Sequence, residues 1–380
     1  MKIKVIALVI SGLAAVPALA DSMSTMDSDT KVTFYGVLDN ALQNVTGSGL
    51  QSQTLVESGG PNTSYFGVRA SNELGNGLKA IGDLEYGVDL TNGANLGGNG
   101  TGWREKSIGL TSDTMGTLKT GWMPSTAYAF SMKFDPFAQG GADPMGAMVG
   151  GGKFLIGWNG GANHGDHALS YTTPNMSGFS VDVNYQTASE LNNFGASSAA
   201  PVGNTTGTLL SGSYDNGPLS VEAVYAATSS QNGAGAGNNQ AKNQTEYALG
   251  VSYDFAVAKL YGTWQQGHSP NAVAAPGVTN PTANNSAFNL NATIPAGPGT
   301  VALGYARTSI ATANSVDGSA YALSYGYPMS KHATLYAATE RVTNGSAGNN
   351  YSVVDSLVGA GNLTAGGSST LMALGVNYTF

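Results

Sequence analysis

His164, Asp166 and His167 stand within four positions in NHGDHALS, the densest grouping of potential metal ligands or proton carriers in the chain. A metal site needs three or more ligands converging at fixed geometry, and only these two of the four histidines are near one another. His268 and His332 fall at the edges of other segments, and serines are numerous enough for accidental Ser/His/Asp sets to arise. No metal and no catalytic set is therefore expected, and His164 stays a candidate titrating group. The absence of cysteine excludes a disulfide framework and thiolate metal sites. Glycine-rich runs such as GANLGGNGTG and GAGAGNN lack the strand-then-helix setting of a phosphate-cradling loop. They read as exposed loops, and no cofactor is called for.

The elements that carry these residues begin after a leader. Lys2 and Lys4 precede an apolar run that ends in Ala18-Leu19-Ala20, the pattern of a signal peptide over 1–20 with a mature start at Asp21. Its removal takes the formal charge from −8 to −10, because Lys2 and Lys4 are its charged residues. So acidic a chain is a poor nucleic-acid binder. After the leader no stretch is apolar enough for a helix to cross a bilayer. Yet charged residues make up only 10%, against roughly 25% in ordinary soluble domains. A surface so short of charge suits a solvent other than water.

From Lys31 to Phe380, segments of about ten residues alternate apolar with small or polar side chains. In STLMALGVNYTF, Met372, Leu374, Val376, Tyr378 and Phe380 interleave with Ala373, Gly375, Asn377 and Thr379. Successive side chains of a strand point to opposite faces, so one face is apolar. Strands are expected at 31–42, 62–71, 77–90, 103–112, 116–124, 164–173, 178–187, 207–215, 218–228, 245–255, 257–267, 285–294, 299–309, 318–327, 332–343 and 370–380. A soluble sandwich would also alternate. Three features favour a membrane barrel: the small or charged polar face, the aromatic residues at segment ends, and the alternation of tight turns (NELGNG, DTMG, DNGP, PAGPG) with long Gly/Asn/Ser-rich connections at 43–61, 193–207, 229–243 and 344–369. The expected fold is all-β, a 16-stranded antiparallel transmembrane β-barrel with short periplasmic turns and long extracellular loops. Residues 21–380 form that one domain.

On KVTFYGVLDNAL, SYFGVRASNELGNGLKAIGDLEYGVDL, WREKSIGLTSDTMGTLKTGW, HALSYTTPNMSGFSVDVNYQ and the terminal Phe380, the chain resembles the Gram-negative general porins over its whole mature length. The resemblance implies a homotrimer in the outer membrane, among lipid and lipopolysaccharide, passing ions and small hydrophilic solutes. It implies a third loop folded into the lumen, here 124–161, whose acids Asp135 and Asp143 face basic residues on the wall. Arg104 falls on one such wall arginine, and Arg69 and Lys106 could join it. Tyr65 and His164 stand where arginines are usual, and Val37 replaces a position that is basic in some members. With few wall cations and a mature charge near −10, a weak cation preference is expected. Phe380 is similar to the family's barrel-insertion signal. If Arg104 and Lys106 point inward, Glu105 and Ser107 point outward, which a lipid face penalises; burial in a subunit interface would remove that conflict. Alternative readings are a saccharide-preferring channel lined by Trp122, Tyr128 and Phe130, or an adhesin or phage-receptor barrel. The four tryptophans, Trp103, Trp122, Trp158 and Trp264, are expected at the girdles or rim. A ligand-gated transporter would need more than residues 21–30 as a plug.

Overall fold

The computed structural model describes residues 29–60, 63–91, 102–150, 154–158, 160–186, 205–230, 244–268, 285–310, 316–346, 348, 351–353 and 363–380. The expected leader and the start at Asp21 lie outside them. Strands follow in chain order: β1 (Thr30–Gly47), β2 (Gln53–Ser58), β3 (Tyr65–Gly75), β4 (Leu78–Gly87), β5 (Trp103–Ser112), β6 (Gly116–Pro124), β7 (His164–Thr172), β8 (Phe179–Gln186), β9 (Thr205–Asn216), β10 (Leu219–Ser230), β11 (Thr245–Asp254), β12 (Lys259–His268), β13 (Asn285–Ala296), β14 (Gly299–Ile310), β15 (Val316–Pro328), β16 (Ala333–Asn344) and β17 (Ser368–Thr379). From β3 onward each pairs antiparallel with the next. The seam closes where β1 meets β17, from Val37↔Thr379 to Gly47↔Ser369. Backbone bonds between Gly36 and Phe380 (3.0 and 3.1 Å) finish it. Both β2 and β3 pair with β1, through Asn40↔Ser58 and Thr30↔Asn72, so they are two halves of one wall position. The barrel is therefore closed and 16-stranded.

The extra half-strand departs from the expected long loop at 43–61. Here β1 rises past the level of the apolar band. Its outward residue there is Asn44, bonded to Ser52, the Gln53 carbonyl and Thr54 (2.7–3.2 Å), while Val45 turns inward and is buried. The apolar-outward signal stops where the lipid stops, although the strand continues.

Outward rows carry the aliphatic side chains. Phe34, Leu42, Phe66, Leu84, Ile108, Leu249, Leu290, Leu303, Leu323 and Leu374 are all exposed at strand positions. Such a surface suits acyl chains, since lipid offers no partner to a polar group and the closed ladder leaves none unpaired. Tight turns join the strands at one rim. The turn from Gly75 to Leu78 places Asn76 and Gly77 at φ 52° and 74°, the left-handed values of a two-residue hairpin turn. The strand ends that lead into the long connections lie at the opposite rim.

The described residues between 125 and 163 enter the barrel instead of covering its mouth. They carry two helices, α1 (Thr126–Phe134) and α2 (Pro144–Val149). Ser125 caps α1 by accepting the Ala127 and Tyr128 N–H groups, and α1 buries Ala127, Phe130, Ser131 and Phe134, one helical stripe. That stripe packs on Leu209, Val224, Ala226 and Ala248 of β9–β11. Met145, Ala147, Met148 and Val149 of α2 pack with Ala287, Ala306 and Ala320 of β13–β15. Phe137, between the helices, sits with Ala302 and Ala322. The small residues of the polar face are thus mostly a dry seat for this loop and not a wet surface. At Gly250 the seat is tightest: an added Cβ would lie 2.5 Å from the Phe134 ring and 2.8 Å from that of Phe130. Gly250→Val should therefore lift α1, with the roughly 1–3 kcal/mol penalty of an overpacked contact. The measurement is protease sensitivity of residues 125–163 and open-channel noise. Both should rise, while the barrel keeps its heat-dependent shift on SDS gels.

Candidate functional site: a charged wall opposite the folded-in loop

With β8–β16 covered by the loop, the free inner wall is the one made by β1 and β3–β6. Arg69 of β3 bonds Asp83 of β4 (Nε to Oδ1 2.6 Å), and Asp83 Oδ2 accepts from Lys119 Nζ of β6 at 3.0 Å. Lys119 also reaches Glu105 Oε1 of β5 at 2.5 Å, and Ser107 Oγ donates to the same oxygen. Above this chain Glu85 accepts from Arg104 Nε (2.5 Å) and from the Tyr35 hydroxyl (3.1 Å). Tyr35 lies under the Arg69 guanidinium at 5.0 Å, and Tyr65 under that of Arg104 at 4.7 Å. Such cation–π contacts hold the planar heads against the wall. Acid and base therefore alternate across four strands, each carboxylate charge-paired.

Arg104 also crosses to the loop. Its Nη2 donates to the Tyr128 hydroxyl of α1 (2.9 Å) and to Gln139 Oε1 (2.7 Å). Burial pushes the Tyr128 hydroxyl up to about 12, so it stays neutral at physiological pH. The loop docks a second time on the gap between β2 and β3: the Gly141 N–H donates to the Gly60 carbonyl (2.5 Å), and Thr63 Oγ1 to that of Gln139 (3.4 Å). A third anchor is Glu246 of β11, which accepts the Leu155 N–H (2.5 Å), the Ile156 N–H (3.2 Å) and the Gln265 amide (3.0 Å).

Several expectations need correction. Asp135 and Asp143 do not face the wall; both are buried under the loop. Asp135 Oδ1 accepts the Phe137 N–H (3.0 Å) and the Asn291 amide of β13 (3.1 Å). Asp143 caps α2 through the Gly146 N–H (2.8 Å) and accepts from the Trp158 indole. Trp158 is thus a loop anchor and not a girdle residue. Lys106 points outward: it pairs with Leu84 and Trp122, and its ammonium lies 5.8 Å over the Trp103 ring, on the outer aromatic row with Tyr86. A bulge explains this. Glu105 opposes Glu85, yet Trp103 opposes Tyr86, so Arg104 is an extra residue and both it and Glu105 turn inward. Glu105 therefore meets Lys119, and Ser107 meets Glu105, instead of lipid, and no subunit contact is needed to shelter them.

The remaining expected positions lie as follows. Arg69, Tyr65 and Arg104 are inward and in contact as described. His164 begins β7, half-buried between the rings of Trp122 (centroids 5.6 Å) and Tyr128 (5.3 Å). Phe130 packs beneath α1 on the wall, so the aromatic run proposed for a sugar track ends at Tyr128. Phe380 completes the seam with β1, stacked on Tyr378. Among the described residues no three His, Asp or Glu side chains converge as metal ligands would. Sequence reading missed Asp83, Glu85, Glu105 and Lys119 as a linked set. The inward parity of Asp83 and Glu85 was its one available signal.

A closed antiparallel barrel with a folded-in loop beside a charged wall defines an outer-membrane channel. A family model of the Gram-negative porins matches residues 5–347, and the chain belongs to that family. It is 28% identical over 377 residues to outer membrane porin protein 32 of Delftia acidovorans, covering 97% of this chain and 99% of that one. To an outer membrane porin protein of Bordetella pertussis it is 29% identical over 273 residues, 65% of this chain and 67% of the relative. Its fold is similar to that of the anion-selective porin from Comamonas acidovorans (TM-score 0.72, 25% identity, 92% of this chain and 100% of that one). It also resembles the Salmonella typhi OmpF barrel (TM-score 0.66, 14% identity, 94% and 99%).

Two outcomes follow for the loop. Arg104→Ala should free Tyr128 and Gln139 and increase unitary conductance. An unchanged conductance would show that the wall contact does not set the aperture. Burial raises Asp135 to about 6 and, with the neighbouring carboxylate, holds Asp143 well above the usual range. A pKa raised on folding means the folded loop binds more protons than the unfolded one, so its stability falls as pH rises from about 4 through 6. Amide exchange at Gly146 and Phe137 should accelerate over that window. Asp135→Asn, whose amide can donate to Asp143 permanently, should flatten the dependence.

Proposed function

We propose that this porin is a general diffusion channel whose constriction weakly favours anions, and that it works as a homotrimer. One observation carries the selectivity: in the linked Arg69–Asp83 and Lys119–Glu105 pairs at the middle of the wall the base is the member left in water. The side chain of Arg69 is 60% exposed against 6% for Asp83, and Lys119 is 23% exposed against 11% for Glu105. The loop adds no acid here, because Asp135 and Asp143 are buried and the exposed side of α1 presents Ala129 and Met132. The acidic net charge of the chain supports the opposite, cationic, preference, but charges more than about 8 Å from the path are screened at physiological salt. Local exposure therefore outweighs the total. The anion selectivity of the Comamonas acidovorans porin agrees with this reading.

A selectivity set by paired wall charges is modest, since each exposed cation has a carboxylate behind it, and it weakens with salt. The trimer rests on the family resemblance. Passage itself makes and breaks no bond. Reversal potentials in a KCl gradient test the proposal. Wild-type protein should show a chloride preference that shrinks as salt rises, and Arg69→Glu should move the reversal potential toward potassium. A potassium preference of the wild type would sink the selectivity. Closure in three equal steps supports the trimer, and single-step closure refutes it.

A further inference from the structure

We infer that Met132 of α1 is an oxidation site at the aperture: hydrogen peroxide passing through the channel transfers one oxygen to its thioether sulfur, and the sulfoxide narrows the opening. Tyr128 and Met132 lie four positions apart on α1 and so share one face of the helix. Arg104 of the wall donates to the Tyr128 hydroxyl, and through Gln139 it is linked to Met132 as well. Gln139 Oε1 accepts from Arg104 Nη2 at 2.7 Å, while Gln139 Nε2 donates to Met132 Sδ at 3.0 Å. A guanidinium can only donate, so the amide oxygen is committed to Arg104 and the amide N–H groups are left for another acceptor. The acceptor they meet is a thioether, a weak one. Gln139 is buried and holds a left-handed backbone at φ 70°, uncommon for a residue with a Cβ. Wall, bridge and helix thus form a closed circuit whose weakest bond is the one to sulfur.

Met132 differs from the other described methionines in place as well as in partner. Met123, Met145 and Met148 are buried. Met115, Met176 and Met329 are exposed but sit in the short turns between strands, and Met372 lies in the apolar outward row of β17. Met132 is 40% exposed, on the open side of α1. Among the described residues it is therefore the methionine that a solute in the lumen meets beside the charged wall. Hydrogen peroxide is small, neutral and water-soluble, so its passage asks nothing of the wall charges. A sulfur lone pair attacks one peroxide oxygen as the O–O bond breaks and an S–O bond forms. Sulfur gives up two electrons, and the departing hydroxide takes the proton of the transferred hydroxyl and leaves as water. The product is the polar sulfoxide, bulkier by one oxygen, and that oxygen accepts hydrogen bonds where the sulfur accepted them weakly. Gln139 Nε2 then bonds the sulfoxide oxygen, the circuit to Arg104 tightens, and the free cross-section falls.

The inference rests on the aperture described above and not on the anion preference. Refolded channels are exposed to dilute hydrogen peroxide for increasing times. Peptide mass mapping counts the oxygen on each methionine, and bilayer recordings of the same samples give the unitary conductance. Met132 should gain one oxygen together with Met115, Met176 and Met329 and before Met145 and Met148, and conductance should fall in step with Met132. Met132→Leu should abolish the fall, whereas Met115→Leu with Met176→Leu and Met329→Leu should keep it. A Met132→Leu channel that loses as much conductance as the wild type overturns the inference. So does a wild type whose conductance holds while Met132 is fully oxidised, or one in which Met132 stays reduced while the turn methionines oxidise. Reversal potentials, which decide the anion preference, take no part in this comparison, so either reading can fail alone.

Discussion

Every backbone N–H and C=O that crosses the hydrocarbon region must find its partner within the chain, because lipid supplies none. The β1–β17 seam meets that demand, and much of the remaining structure is arranged around it. Asp39, inward on β1 and fully buried, gathers the Gly60 N–H (2.6 Å), the Tyr336 hydroxyl of β16 (2.7 Å) and the Asn377 amide of β17 (2.7 Å). One carboxylate thus braces three wall strands where the first meets the last. It also fixes the gap between β2 and β3 on which the loop rests. The closure and the narrowing of the channel share a residue.

Sixteen strands enclose more space than their own side chains fill, as in porins generally. Residues 125–163 take up that space. They create a second, dry interface inside the barrel, on the wall made by β8–β16. This accounts for two kinds of inner surface in one lumen. The covered wall presents alanine and glycine where Phe130, Phe134, Phe137 and Met148 approach it, with a few buried polar anchors such as Glu246 and Asn291 between. The uncovered wall is ionic, with Arg69, Asp83, Lys119 and Glu105 bonded across neighbouring strands. The second is the wall that the loop leaves open to water and solute. An exposed cation backed by a buried carboxylate keeps its position without drawing the loop across the opening, and this suits a pore that must stay open.

The alternation of apolar and polar residues made the strands, turns and closure legible, because a lipid-facing row leaves a period of two that a wet or dry interior does not erase. Two features were not legible for the same reason. A small residue on the inward row reads alike whether it faces water or a helix, so Ala248, Gly250 and Ala306 gave no sign of the seat they form. A bulge shifts parity by one residue without changing composition, so Trp103-Arg104-Glu105-Lys106 read as strict alternation and put Lys106 inside and Glu105 outside. Counter-charges across the sheet carried the missing signal, since Glu105 inside has Lys119 to meet while Glu105 outside has nothing. The acids of the loop misled in another way. Asp135 and Asp143 flank the turn that the family resemblance puts opposite the wall, and nothing in their spacing marks them as a buried pair.

Burial of two carboxylates beside each other is unfavourable on its own, so their position calls for an offsetting role. Apolar contact between α1, α2 and a row of alanines is non-directional and would tolerate sliding along the wall. A loop free to slide would give an aperture of no fixed size. Polar contacts supply the missing direction at separate points: Asp135 on Asn291, Glu246 on the Leu155 and Ile156 N–H groups, Arg104 on Tyr128 and Gln139, and Gly141 on Gly60. Asp143 then locks the loop to itself by capping α2 and holding Trp158. The directional bonds lie at the two ends and the turn of the loop, and the apolar contacts lie between them. Shape alone would fill the barrel; these few bonded polar groups decide where in it the opening lies.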